Sequence, residues 1–338
     1  MYARMHDTHD VHSVGAEAEA GPFAELLRSV GWNEFFETYW GRRSLHIRDC
    51  QAQLQALPGL EEFPRILAGR LGADGWDQPF FAVQASFLDR GANPRGLMLM
   101  PGELAPAYNA GVSLCFGDVS RWNEALARLV ADCRRSTRLC GEVAATAYLA
   151  PRGSGSGMHL DCQHVFFLQV SGEKHWKISR RAGIQAPPIN LVDDIVGMPE
   201  ELERLRKLGL DIEGPEACQL DELVLKAGEV LYLPPGFWHE ARTQESPSLH
   251  YTLTLHTVSF AALFQMPLRL QVLAHTSWRR DLRSFTTDNA RVAFLRERLA
   301  ELHAAMGAMT ADELLETYDR ITALPVPTQR ALSLAPRA

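Results

Sequence analysis

Three residues of this chain have the types and the spacing that could bind a metal ion. His159 and Asp161 stand two apart in "SGSGMHLDCQHVFFLQVS", and His239 comes later in "EVLYLPPGFWHEA". Residues two apart on a strand point to the same face, so His159 and Asp161 would project together into a barrel interior. An HxD pair alone is a weak signal. Two imidazoles and one carboxylate from different strands, however, are the set that binds six-coordinate Fe(II) and leaves adjacent positions open.

A lysine follows this pair on a strand of its own. After "HVFFLQVS" the chain turns at Gly172 and Glu173 and returns as "KHWKIS", so that Lys174 and Trp176 share one face. If that face points inward, Lys174 is a buried cation and needs an anionic partner. The distal carboxylate of a bound 2-oxoglutarate would be such a partner. The alternative is a solvated lysine on an outward face.

The elements that must position these residues are mostly short strands. From about residue 142 onward, short apolar runs are interrupted by Gly and Pro, which indicates an antiparallel barrel or sandwich. Helical spacing over 118–135 predicts a flanking helix, with Asp118 or Ser120 as its N-cap. The loop "PRGSGSG" lacks the lysine and the helix of a phosphate loop, and we expect it to let the chain enter the barrel close to the metal.

The chain is expected to have three parts. Residues 1–21 form a flexible leader, residues 22–258 the catalytic domain with an insertion at 180–219 that could be a lid, and residues 259–338 a helical region. Thr310 and Glu313 predict a capping box for the last helix. An apolar stripe in the helical region either packs on the barrel or forms a homodimer interface, and its members are Val292, Leu295, Leu299, Leu302 and Met306.

Composition excludes some classes of protein. The 338 residues carry a formal net charge of −7, which argues against a nucleic-acid-binding surface. No stretch is long and apolar enough to predict a membrane span. The six cysteines include no CxxC pair, a pattern typical of reduced thiols in a cytoplasmic protein.

The segments "FFETYWGRRSLHIR", "AYLAPRGSGSGMHLDCQHVFFLQVSGEKHW" and "LYLPPGFWHEA" resemble the JmjC-type, cupin-like oxygenases that depend on Fe(II) and 2-oxoglutarate. The resemblance extends over roughly residues 22–260 and is strongest to the branch that contains the ribosomal oxygenases and their bacterial relatives. It implies a mainly β fold with flanking helices, in which a double-stranded β-helix (jelly-roll) core precedes a helical C-terminal region.

The resemblance also implies roles for individual residues. His159, Asp161 and His239 would bind Fe(II), and Lys174 would bind 2-oxoglutarate. Thr146 stands where relatives commonly carry an asparagine and would keep a hydrogen bond to the co-substrate. Thr252 and Thr254, in "HYTLTL", are weaker candidates for lining the pocket, and His250 is expected to serve packing.

The expected activity is hydroxylation of an amino-acid side chain in a peptide or protein, with O2 as the second co-substrate. Two alternatives stay open. In the first, the substrate is a free or carrier-tethered amino acid or another small metabolite, which the insertion and the short C-terminal region favour. In the second, the chain is a cupin-like metal-binding module without oxygenase activity.

Overall fold

The computed structural model describes residues 21–73, 80–82, 97–137, 140–192 and 198–323. These residues fall into two compact units, the first made of the chain up to Thr137 together with Glu142–His256, and the second mainly of the helices after Thr257. Within the part of the chain that is described, no helix is both long enough and apolar enough to cross a membrane.

Thirteen strands are described, and most belong to two sheets of the first unit. A six-stranded sheet has the order β1-β11-β7-β13-β5-β4, a five-stranded sheet has the order β10-β8-β12-β6-β9, and β2 pairs with β3. The strands are β1 Leu45–Ile47, β2 Phe80–Ala82, β3 Leu97–Leu99, β4 Leu114–Phe116, β5 Cys140–Ala150, β6 Gly155–Leu160, β7 His164–Ser171, β8 Glu173–Ala182, β9 Leu191–Val192, β10 Leu220–Lys226, β11 Val230–Leu233, β12 Phe237–Arg242 and β13 Ser248–Thr257.

The core of the first unit lies between the two larger sheets. Val165 and Phe167 of β7 pack with Trp176 and Ile178 of β8, and Leu225 of β10 joins the same buried cluster. The inward residues alternate along each strand, because successive side chains of a strand point to opposite faces. Crossovers between non-consecutive antiparallel strands give the jelly-roll arrangement, and the predicted double-stranded β-helix is confirmed.

Several helices belong to the N-terminal part of the first unit. The described helices of the chain are α1 Pro22–Leu26, α2 Trp32–Glu34, α3 Gln51–Leu54, α4 Phe63–Ala73, α5 Leu104–Asn109, α6 Glu124–Thr137, α7 Met198–Lys207, α8 Phe260–Ala274, α9 Asp288–Ala308 and α10 Ala311–Ala323.

The N-cap predicted for the helix over 118–135 is wrong. Asp118 adopts a left-handed backbone conformation and pairs with Arg121, and Ser120 donates a hydrogen bond to the Asp118 carboxylate. The helix begins later, and the Asn123 side chain accepts the hydrogen bond of Leu126 N–H at 3.1 Å. Asparagine is as good an N-cap as aspartate or serine, so the choice was decided by where the chain turns.

The 180–219 insertion carries its own structure. It continues β8, contributes the short strand β9 and the helix α7, and pairs β9 with the end of β6, where Leu160 faces Leu191. Its apolar side chains form a second buried cluster around Leu160 and Trp238, to which Ile184, Leu205, Ile212 and Cys218 also belong.

The second unit is helical. Thr310 and Glu313 form the predicted capping box at the start of α10, since the Thr310 hydroxyl accepts from Glu313 N–H and the Glu313 carboxylate accepts from Thr310 N–H. The side chains of Val292, Leu295, Leu299 and Met306 on α9 are exposed, the Leu299 side chain by 62%.

Candidate metal and co-substrate site

Two histidines face each other across neighbouring strands. His159 of β6 and His239 of β12 are direct partners in the antiparallel register, and their ring centroids lie 4.1 Å apart. Such close pairing is available because the Gly155 backbone lies against the Ala241 carbonyl, where a Cβ atom would overlap it. The glycine-rich entry to β6 therefore brings the two strands together beside the site.

Each of the two imidazoles is oriented by a hydrogen bond to the backbone carbonyl two residues before it. Nδ1 of His159 lies 2.7 Å from the Gly157 carbonyl oxygen, and Nδ1 of His239 lies 2.9 Å from that of Phe237. A carbonyl oxygen can only accept, so each Nδ1 is the protonated donor nitrogen. Each Nε2 then keeps its lone pair, which is the form that binds a metal ion.

Asp161 completes the cluster. It directly follows β6, and its carboxylate oxygen lies 3.6 Å from Nε2 of His239. One donor atom from each of His159, Asp161 and His239 lies within 4.8 Å of the others, which is close enough for one ion to contact all three. Nε2 of His239 is buried and finds no hydrogen-bond partner in the described part of the chain, so a bound cation would satisfy an otherwise costly unpaired atom.

Burial shapes the electrostatics of this cluster. It lowers the pKa of His239 well below the ordinary value, and the neighbouring His159 acts in the same direction. It raises the pKa of Asp161, against the opposing effect of His159 and His256. A neutral His239 imidazole is ready to bind a metal, and a divalent cation would offset the cost of burying the Asp161 carboxylate charge.

Lys174 lies in the same cavity, which has a volume of about 310 Å³. The lysine is only 4% exposed, so the alternative of a solvated lysine on an outward face does not describe it. Burial lowers the pKa of its ammonium group to about 7, and the nearby Cys115 thiol has the opposite, smaller effect. Among the described residues no carboxylate acts on this ammonium group.

Other polar atoms of the cavity lack partners as well. The Thr252 hydroxyl, Nδ1 of His250 and Nε1 of Trp176 are buried and make no hydrogen bond to any residue that the structure describes, and all three residues line the cavity. Buried polar groups are normally paired, so several orphans around one cavity indicate a site shaped for a polar ligand.

The three threonines that were predicted to contact the co-substrate differ in their position relative to the cavity. Thr252 and Thr254 of β13 line the cavity, whereas Thr146 of β5 does not. Tyr148, two residues further along the same face of β5, lines it instead, and its ring stacks on His250 at a centroid distance of 4.9 Å. Sequence reasoning missed Tyr148, although the strand that carries it was predicted.

Three further histidines lie in different environments. His164 is buried away from the cavity, where it stacks on Trp40 at 3.7 Å and hydrogen-bonds to the Tyr232 hydroxyl. His175 is on the outer face of β8, beside Glu173. His250, expected to serve packing, packs on Tyr148 and also lines the cavity.

Part of this chain is similar to known proteins. Residues 124–263 match the model of the JmjC domain family. The uncharacterized protein YxbC of Bacillus subtilis (strain 168) is 24% identical over 261 residues, which is 75% of this chain and 76% of YxbC.

Two other relatives have names that state an activity. The bifunctional lysine-specific demethylase and histidyl-hydroxylase NO66 of Drosophila persimilis is 33% identical over 52% of this chain and 23% of its own length. Ribosomal oxygenase 1 of Gallus gallus is 33% identical over 32% of this chain and 16% of its own length. This chain therefore spans less than a quarter of either protein.

Solved structures of YcfD from Escherichia coli are similar to a lesser degree. One aligns with a TM-score of 0.49 and 19% identity, over 80% of this chain and 67% of YcfD. Another, a complex of YcfD with cobalt and 2-oxoglutarate, aligns with a TM-score of 0.47 and 19% identity, over 85% and 69% of the two chains. The likeness of this chain to the JmjC domain family therefore rests on residues 124–263.

Proposed function

We propose that this chain is an Fe(II)- and 2-oxoglutarate-dependent dioxygenase that hydroxylates an amino-acid side chain in a peptide or protein. One observation carries the proposal. Nε2 of His239 faces Asp161 and His159 in the same cavity as Lys174, and within the described residues Nε2 has no hydrogen-bond partner and the buried lysine has no carboxylate partner. A metal ion and a dianionic co-substrate together would satisfy both ends of the cavity.

His159, Asp161 and His239 fit an Fe(II) ion by their chemistry. Imidazole and carboxylate donors suit ferrous iron, and three protein ligands leave open positions for other molecules. When bound with 2-oxoglutarate and O2, the iron would supply the oxidising power to convert a C–H bond into C–OH. The protein would contribute orientation and the exclusion of water.

Lys174 would bind the far carboxylate of 2-oxoglutarate. An ammonium and a carboxylate that are buried together are each spared the cost of an unpaired charge. The Thr252 hydroxyl and the side chains of Tyr148 and His250 lie around the same cavity and could donate hydrogen bonds to that carboxylate. Thr254 lines the cavity too, and we give Thr146 no direct contact with the co-substrate.

A peptide or protein is the substrate class that the relatives favour. The names of two of them include histidyl-hydroxylase and ribosomal oxygenase, although this chain covers only a small part of each. Reduced thiols fit such a protein in the cytoplasm, and burial raises the pKa of both Cys50 and Cys115, which keeps these thiols protonated.

The test is anaerobic addition of Fe(II) and then 2-oxoglutarate to the purified protein. The chelated complex should give a weak visible charge-transfer band, and the Asp161→Ala variant should not. Turnover is then measured as succinate formed with histidine-containing peptides and, in parallel, with free amino acids. Succinate that depends on peptide supports the proposal, and dependence on a free amino acid would move the substrate to small molecules. Iron binding with no band and no turnover would indicate a cupin-like binding module.

We also propose that the exposed apolar face of α9 pairs with a second copy of this chain. Val292, Leu295, Leu299 and Met306 follow one another at intervals of three, four and seven residues, so they lie along one side of a helix of 21 residues. A single stripe can pack on its own copy across a two-fold axis. Sedimentation should show a dimer, and Leu299→Glu should shift it to monomer. A wild-type monomer at high concentration would refute the pairing.

A further inference from the structure

The peptide group between Asp161 and Cys162 is held on both sides. Its carbonyl oxygen, which belongs to Asp161, accepts a hydrogen bond from Gly236 N–H at 2.8 Å. Its N–H, which belongs to Cys162, donates to Oδ1 of Asn190, also at 2.8 Å. One donor and one acceptor thus fix the plane of a single peptide group, because that group is rigid and planar.

The two partners come from distant parts of the chain. Gly236 ends the Pro-Pro-Gly turn that leads into β12 and His239, and Asn190 belongs to the 180–219 insertion, immediately before β9. The residue before Asp161 is fixed as well, since Leu160 pairs with Leu191 of β9. The insertion therefore contacts the backbone on both sides of Asp161: Leu191 pairs with Leu160, and Asn190 binds the N–H group of Cys162.

The direction of a carboxylate depends on that backbone. Rotation of this peptide plane about the Cα–C bond changes the ψ angle of Asp161, and so changes the direction of its Cα–Cβ bond relative to the plane that Gly236 and Asn190 hold. Asp161 follows the last residue of β6, so no strand pairing of its own is available to prevent this rotation. The side chain of Asn190 supplies the hydrogen bond that a ladder partner would otherwise give.

We infer that Asn190 is a positioning residue that holds the Asp161 carboxylate in place for the metal ion. The segment that carries it, up to Val192, acts as a fixed support for the site, where the sequence had suggested a lid. Its apolar cluster encloses both Leu160 and Trp238, the residues that precede Asp161 and His239. The inference rests on the proposed function only in that Asp161 is a metal ligand.

The experiment measures metal affinity without turnover. Co²⁺ is titrated into the full chain and followed by its visible absorption, for the wild type, Asn190→Ala, Asn190→Asp and Gln163→Glu. Asn190→Ala removes the acceptor oxygen, while Asn190→Asp keeps one at the same distance from the backbone. Gln163, another residue of the cavity, reports what an added negative charge does by itself.

The expected loss for Asn190→Ala is about tenfold to a hundredfold in Co²⁺ affinity, which is the usual effect of removing a partner behind a metal ligand. Asn190→Asp should restore the affinity, after correction for the charge effect seen in Gln163→Glu. Exchange of the Cys162 amide hydrogen should accelerate in Asn190→Ala and stay slow in Asn190→Asp. The side chain of Asn190 is exposed, so thermal unfolding should change little.

Wild-type Co²⁺ affinity in Asn190→Ala would overturn the inference, and so would an equal loss in both Asn190 variants. The proposed function can fail separately. If the wild type binds Co²⁺ tightly but forms no succinate under any condition, the support by Asn190 stands and the oxygenase activity does not.

Discussion

The affinity for 2-oxoglutarate should fall as the pH rises above 7. Lys174 is buried, and its pKa is lowered from 10.5 to about 7 in the free protein. A carboxylate binds the protonated ammonium and raises this pKa again, so binding is strongest below pH 7 and weakens until the pKa of the complex is reached. Only about 1% of a group with a pKa of about 7 is protonated at pH 9. The dissociation constant should therefore rise about tenfold per pH unit above 7, which corresponds to about 1.4 kcal/mol.

Calorimetric titration of metal-loaded protein with 2-oxoglutarate, from pH 6 to pH 9, measures this directly. Titrations in two buffers with different ionisation enthalpies count the protons, and nearly one should be taken up per molecule bound at pH 8.5. The matched control is Lys174→Arg, because a guanidinium stays charged over this range. If the variant showed the same pH dependence as the wild type, other groups would be titrating and the assignment of Lys174 would be refuted.

Three further substitutions test other parts of the site. Asp161→Ala should abolish metal binding at micromolar concentration, since two neutral imidazoles remain; equilibrium dialysis with Co²⁺ would reveal any retained site. Thr252→Val should weaken 2-oxoglutarate binding about tenfold if its hydroxyl donates a hydrogen bond to the ligand. If Thr252→Val is instead more stable with unchanged affinity, the hydroxyl is only a buried orphan. Gly236→Ala should lower the thermal unfolding temperature by several degrees, because φ is +83° there and a Cβ would meet the Ile184 carbonyl. An unchanged unfolding temperature would show that the turn can relax.

Local pattern predicted the short antiparallel strands and placed His159 and Asp161 on one face, whereas the family resemblance predicted the double-stranded β-helix and joined His239 to that pair. Alternation with period two shows which residues share a face, and the Pro-Pro-Gly turn shows where a strand begins. The pattern does not show how far along a strand the cavity extends. Thr146 and Tyr148 share one face of β5, yet only Tyr148 lines the cavity.

The sequence pattern could not predict hydrogen bonds that depend on the pairing of short, distant strands, or the exposure of a helix face. The hydrogen bond from Cys162 to Asn190 depends on the pairing of β9 with β6, and a strand of two residues leaves no periodic signal. The stripe on α9 gave two alternatives, since the same apolar spacing serves packing within a chain or between chains. Its exposure in the second unit is a tertiary property.

The two larger sheets contribute different residues to the cavity. His159, His239 and Lys174 come from β6, β12 and β8 of the five-stranded sheet, whereas Tyr148 and Thr252 come from β5 and β13 of the six-stranded sheet. Substitutions in the six-stranded sheet can therefore change the wall of the cavity that lies opposite the metal-binding residues, while the strands that carry those residues stay the same. With this division, related proteins can come to prefer different bound molecules while they keep the same metal-binding residues.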